Sequence, residues 1–228
     1  VGSYLLLSFL SFMPGVFLFF FKNVENVQED SLKEGNIRNL KSIVLQPRFL
    51  QAITAAAFAY AVMSFLMTAT PLSMHVMENM SLKETGLVLQ FHVVAMFLPS
   101  LITGNLIKKY GHSAIIYGGV LFFFITVLLS LFEQTYLNYM LSLIFLGLGW
   151  NFLFISGTSL VVLTYNKEEK FKVQGINDLI VFSTMALASL SAGILLNSIG
   201  WKMMNIICIP FLILIILVSF VADKKSVS

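Results

Sequence analysis

Asp178 is the only acidic residue well inside a long apolar run of this sequence. An ionisable side chain within a membrane span is costly and marks a candidate functional position. Counted from Val173, where its run begins, Asp178 lies about 7–8 Å deep at 1.5 Å per residue. On a helical wheel of 100° per residue, Gln174, Asp178, Met185, Ser189 and Ala192 share one side. Ile176, Leu179, Ile180, Leu187, Leu190 and Ile194 share the other. The apolar set is expected to face lipid. Asp178 and Gln174 are then expected to face a neighbouring helix or a water-filled cavity, where a carboxylate carries a proton, meets a cation or bonds a neighbouring helix.

Three further residues have usable chemistry. His92 groups with Met96, Pro99 and Thr103, while Gln90 lies on the far side of the same helix. Histidine titrates near neutral pH and suits proton coupling; a bond to an adjacent helix is the plainer role. His75 ends a stripe of Thr54, Ala57, Ala61, Ser64, Thr68 and Pro71 and lies near a membrane surface. Asn151 shares a face with Gly147 and Thr158 near the middle of its run, where a polar side chain is far from either membrane surface. It reads either as a solute ligand or as a bond between helices. The preceding Gly147-Leu148-Gly149-Trp150 allows a bend or close packing. The abundant Phe residues read as lipid-facing filler rather than an aromatic cage, and Trp201 as an interfacial anchor. No metal cluster, phosphate loop or serine nucleophile motif stands out, so the reading is a non-enzyme with no catalytic residue, metal or cofactor. Cys208 is the single cysteine.

The elements that must position these residues follow from composition. The 228 residues are 58% apolar and only 11% charged, with mean hydropathy +0.89. Soluble domains are about 45–50% apolar and a quarter charged, so the bilayer is the expected solvent. Long unbroken runs predict helices rather than the alternating strands of a barrel. The runs are Tyr4–Phe21, Gln51–Met74, Thr85–Ile107, Ser113–Phe132, Tyr136–Thr164, Val173–Leu196 and Trp201–Val221. The expected fold is an all-α membrane protein of about seven transmembrane helices. Lys22–Leu50 reads as a water-exposed linker. Twelve of the 14 Lys and Arg residues fall on one side of this layout, which puts the long loop and the C-terminus in the cytoplasm. The basic residues follow topology, so nucleic acid is not an expected partner.

One helix, a long charged loop, six helices and a tail together resemble the Major Facilitator Superfamily from its sixth helix onward. A local match is Gly104-Asn105-Leu106-Ile107-Lys108-Lys109-Tyr110-Gly111-His112. It is similar to the family's G-x-L-x-D-R-x-G-R/K gating motif at Gly104, Leu106, Lys109 and Gly111. Lys108 stands where an acid is expected, and His112 where a base is usual. Gly111 is expected to free a tight turn and Gly104 to allow close helix approach. Met67–Met74 and Gln174–Asp178 also resemble a bacterial branch of the superfamily.

The resemblance implies residues 1–21 as the last helix of an N-terminal half, 22–50 as the inter-half loop, 51–221 as a six-helix bundle and 222–228 as a cytoplasmic tail. The first residue is Val, so a missing N-terminal half is an expected partner, beside the lipid bilayer, a small-molecule solute and protons as coupling ion. The implied activity is secondary transport by alternating access in a bacterial inner membrane. A non-transporting scaffold or transporter remnant is the alternative. A seven-helix receptor fits less well, because Lys202 is at the edge of its helix and Cys208 has no partner cysteine.

Overall fold

The computed structural model describes residues 2–20 and 38–227. They form two units. The first is α1 (Gly2–Phe20), an apolar helix with Pro14 in its interior. The first part of the expected Lys22–Leu50 linker, residues 22–37, lies outside the described residues.

The second unit begins at Arg38. It contains α2 (Leu40–Val44), α3 (Pro47–Pro71), α4 (Leu82–Phe97), α5 (Ser100–Tyr110), α6 (His112–Ser130), α7 (Tyr136–Val162), α8 (Lys170–Ile207) and α9 (Ile209–Val227). Local signals set the boundaries. Pro47 opens α3, where the missing N–H costs nothing. Ser81 and Glu84 form a capping box before α4. Thr135 caps α7 through the Asn138 N–H. Gly111, at φ 84°, separates α5 from α6, a conformation that glycine adopts without strain.

Among the described residues, five helical stretches are long and apolar enough to cross a membrane. The fifth spans 59 residues, Lys167–Lys225, about twice the length of one crossing. It breaks at Gly200, where φ is 75° and ψ 170°. The contacts show that the chain reverses there. Trp201 packs on Tyr139, whose hydroxyl meets Ser73 just beyond the end of α3. Asp223 meets Arg48 at the opposite end of α3. The protein is therefore an all-α, multi-pass integral membrane protein. Its second unit holds six crossings, with α4 and α5 sharing one of them.

The crossings form two layers. In the front layer, α3 stands between α7 and α8, and α7 carries α4 on its other side. Behind them, α6 packs on α7 and α9 on α3. The exposed large apolar side chains of α9, from Phe211 to Val221, give the back an oily surface. Small residues bring the helices together, as in other membrane bundles. A Cβ on Gly147 would lie 2.7 Å from the His92 carbonyl, and one on Gly157 2.7 Å from that of Ala52.

Several boundaries differ from the sequence reading. The bundle begins before residue 51, because Ile43 and Phe49 are buried and Pro47 already starts a helix. At the other end α9 continues through 222–227, with Ala222 buried. Gly104 makes no close helix approach: a Cβ there would meet nothing within 4 Å. The close approaches fall instead at Gly147 and Gly157, which face Ala95 and Ala56, and at Gly119 and Gly149, which face each other.

Candidate functional site

Five aromatic rings from four helices meet in the front layer. Tyr60 comes from α3, Trp150 and Phe154 from α7, Phe97 from α4 and Phe182 from α8. Trp150 and Phe154, one helical turn apart, stack at 4.9 Å with 14° between their planes. Tyr60 lies edge-on to Trp150 at 5.3 Å and to Phe154 at 5.0 Å. Phe97 reaches Trp150 at 5.9 Å, and Phe182 reaches Tyr60 at 6.0 Å. These distances lie in the 4.5–7 Å range of favourable ring pairs. Trp150 is 3% exposed, while Phe97 and Phe182 are 58% and 50% exposed. The arrangement has a buried floor and open rims. Phe97, Phe154 and Phe182, read as lipid-facing filler, make ring contacts within this cluster. Sequence reasoning missed the cluster because its members are far apart in the chain. The available signal was the Trp150–Phe154 spacing of four residues.

The Trp150 indole N–H is buried without an acceptor among the described residues. Leaving such a donor unsatisfied costs about 1–3 kcal/mol. The Tyr60 hydroxyl makes no hydrogen bond there either. Both donors belong to the same cluster.

Asp178 stands on an exposed flank of α8, and its Oδ1 accepts from Asn177 Nδ2 at 3.1 Å. Packing against α3 selects Val173, Asn177, Val181 and Ala192 for burial, so Asp178, one residue past Asn177, lies just off the buried stripe. Of the residues expected on the lipid side, Leu179, Ile180, Leu187, Leu190 and Ile194 are exposed, and of those grouped with Asp178, Ala192 is buried. Asp178 and Phe182 are four residues apart and share one face of α8. That face meets α3 through Phe182 and Tyr60, and through Ser189 and Thr68, whose hydroxyls are 3.0 Å apart. The carboxylate thus lies one turn from the aromatic cluster. Gln174 instead donates to the Tyr165 hydroxyl at 2.7 Å.

Asn151 is buried and fully engaged. Its Nδ2 donates to the Met96 carbonyl at 2.7 Å and to Ser100 Oγ at 2.6 Å, and its Oδ1 accepts from Thr103 Oγ1 at 2.6 Å. All three partners surround Pro99, where α4 passes into α5. Of the two roles open to Asn151, the contacts support the helix-to-helix bond. His92 is buried, and its Nδ1–H donates to the Leu143 carbonyl at 2.7 Å. Its Nε2 has no partner among the described residues. His75 lies beyond α3, where its Nδ1–H donates to the Met80 carbonyl at 2.7 Å. Neither histidine joins the aromatic cluster.

The segment from Gly104 to His112 ends α5 and begins α6. Lys108 is exposed, Leu106 half-buried, and the Lys109 ammonium lies 5.0 Å from the Tyr110 ring centre. Two polar clusters at this end of the bundle escaped the sequence reading, which left Arg38 and Arg48 in a solvated loop. Arg48 Nη1 donates to Gln51 Oε1, Ser113 Oγ and Asp223 Oδ1, tying α3, α6 and α9 together. Arg38 binds Glu169 and the Thr164 carbonyl. Hydrogen bonding to Glu169 raises the Arg38 guanidinium above its ordinary, already high range.

Comparison with known proteins fits this architecture. Residues 52–228 match the Major Facilitator Superfamily. The riboflavin transporter RfnT of Brucella anthropi is 35% identical over 94% of this chain and 54% of its own length. The MFS-type transporter YdeG of Bacillus subtilis, described as uncharacterized, is 26% identical over 90% of this chain and 50% of its own. A second such Bacillus subtilis protein, YddS, is 30% identical over 65% and 34%. The chain spans about half the length of the first two of these relatives. With six crossings in two layers and a family match over most of its length, the chain belongs to the Major Facilitator Superfamily.

Proposed function

We propose that this chain is the C-terminal half of a proton-driven secondary transporter that moves a small planar solute of the flavin type. The aromatic cluster carries the reading: rings from α3, α4, α7 and α8 gather near mid-bundle in a chain 35% identical to a riboflavin transporter. A solute bound there lies at the depth from which both sides of a membrane are reached in turn. Alternating access follows by rocking this bundle against an N-terminal half across the front layer. That half is the partner, and the oily back formed by α6 and α9 meets lipid.

Asp178 is the first candidate for carrying the proton, because it is a carboxylate in a span and lies one turn from the cluster. The lysine-rich ends of the helices and the C-terminus lie in the cytoplasm, by the asymmetry of Lys and Arg. The membrane is a bacterial inner membrane, as the bacterial relatives suggest. Gly104, Leu106, Lys108, Lys109 and Gly111 form the cytoplasmic turn at which the two halves separate and close.

The test is riboflavin uptake in bacteria that lack their own flavin uptake, expressing the full-length transporter. Saturable uptake that a protonophore abolishes is the expected result. No uptake above control, with the protein present in the membrane, overturns the flavin reading. Uptake that persists with the protonophore overturns proton coupling.

A further inference from the structure

We propose that Tyr60, Trp150 and Phe154, rimmed by Phe97 and Phe182, seat the planar ring system of the solute, and that the Trp150 indole N–H donates to an acceptor on that ring. The proposal rests on the transporter reading above and adds the binding residues to it. Tyr60 and Trp150 lie within about a residue of the midpoints of α3 and α7, so the seat is at mid-bundle.

The open rims present π faces that a flat solute can cover. Offset or edge-on ring pairs add attraction beyond simple burial. The orphan indole N–H distinguishes between occupants. A lipid tail covering these rings supplies no hydrogen-bond acceptor and leaves the donor unsatisfied. A heteroaromatic ring with carbonyl or imine acceptors satisfies it. Phe97, edge-on to Trp150 and more than half exposed, stands at the rim of the seat beside that ring. Ring stacking then sets affinity for the aromatic part of the solute, and the N–H sets its orientation.

These 228 residues contain two tryptophans, Trp150 and Trp201, so comparing their single Phe variants assigns the share of the fluorescence change that belongs to the seat. Trp201 packs on Tyr139 at the far end of α3, away from the cluster. The experiment titrates the purified full-length transporter with riboflavin, with lumichrome (the ring system without the sugar chain) and with ribitol, following tryptophan fluorescence. The expected result is saturable quenching by riboflavin and lumichrome but not by ribitol. That quenching is unchanged in Trp201→Phe and falls in Trp150→Phe by the share that Trp150 carries. Because the phenylalanine variant keeps a ring but lacks the donor, its riboflavin affinity, read by radioligand binding, falls roughly tenfold. Phe154→Leu, which keeps the apolar bulk, weakens binding roughly three- to tenfold and guards against a misfolded Trp150→Phe. Flavin uptake without Trp150-dependent quenching overturns the seat and leaves the transporter reading standing. Saturable quenching without uptake supports the seat and overturns that reading. Neither quenching nor uptake overturns both.

Discussion

Arg38 holds Glu169 across 131 residues of chain through three hydrogen bonds. Its backbone N–H donates to Oε1 at 3.0 Å, its Nε to Oε1 at 2.9 Å and its Nη2 to Oε2 at 2.6 Å. The same Nη2 reaches the Thr164 carbonyl at 3.1 Å, and Gln46 donates to that carbonyl at 3.3 Å. The first residue of the bundle unit is thereby tied to the turn between α7 and α8. Glu169 also accepts from the Asn166 N–H, so one nearly buried carboxylate organises the start of α8 and receives the incoming chain.

This clasp predicts a local effect on exchange. In Glu169→Gln the carboxylate's charge-assisted bonds, the stronger kind, become neutral ones. The Arg38 amide is expected to exchange faster with solvent, as are the amides of α2, while those in the middle of α3 keep their protection. Hydrogen–deuterium exchange read by mass spectrometry on the full-length transporter decides this. Unchanged exchange over residues 38–44 means that burial of Ile43 alone holds the segment.

Asn151 predicts a stability effect rather than a solute effect. Asn151→Leu is close in size but leaves the Met96 carbonyl and the Ser100 and Thr103 hydroxyls without their shared partner. Thr103 keeps its bond to the Pro99 carbonyl and Ser100 is exposed, so the loss is that of about one buried unsatisfied group, about 1–3 kcal/mol, and thermal unfolding in detergent should occur at a lower temperature. Solute affinity of the protein that remains folded should stay near wild type. Lost affinity at unchanged thermal stability would show that Asn151 contacts solute.

The glycines divide into two groups. A Cβ at Gly157 would approach the Ala52 carbonyl at 2.7 Å and the Ala56 nitrogen at 2.9 Å, both backbone atoms. Gly157→Ala must push α7 from α3, and overpacking of this kind costs about 1–3 kcal/mol. Gly104→Ala meets open space within the described residues and should leave bundle stability unchanged. Thermal stability of the two variants, measured side by side, tests the assignment. Equal losses would contradict it.

Much of the fold was legible because lipid imposes a simple rule: every span is a helix of about 20 apolar residues. The run boundaries therefore came close, and Gly111 announced its turn. Helix ends were harder to read. Arg38 and Arg48 look like solvated loop residues until Glu169 and Asp223 arrive from more than 130 residues away. The face of α8 was legible in part: Leu179, Ile180, Leu187, Leu190 and Ile194 are exposed and Ala192 is buried, as the wheel has them. Polarity alone groups Asp178 with Ala192, yet the interlock with α3 is made by Val173, Asn177 and Val181. The aromatic cluster was illegible for the same reason, since Tyr60, Phe97, Trp150 and Phe182 meet only after four helices have packed. Asn151 was visible as a buried polar group, but its choice between solute and helix depended on the turn at Pro99.

Asp178 carries the last prediction. It lies eight residues beyond Lys170, about 12 Å along α8 at 1.5 Å per residue. A charged side chain facing lipid at mid-span costs about 2.5–3.5 kcal/mol on insertion scales. Asn177 offers it a single neutral hydrogen bond. The flank it occupies also carries Phe182, which reaches towards Tyr60 and the proposed seat. The proposed crevice between the two halves would keep the carboxylate in contact with water when open. Asp178→Asn keeps the size and the hydrogen-bonding capacity and removes the exchangeable charge. In proteoliposomes holding the full-length transporter, the variant is expected to lose uptake driven by a proton gradient. Exchange of labelled for unlabelled solute, which needs no net proton movement, should remain. Expression and thermal stability are measured alongside, so that a folding defect is not read as a coupling defect. If gradient-driven uptake and its pH dependence stay at wild-type level, Asp178 is a polar surface group bonded to Asn177 and the proton is carried elsewhere.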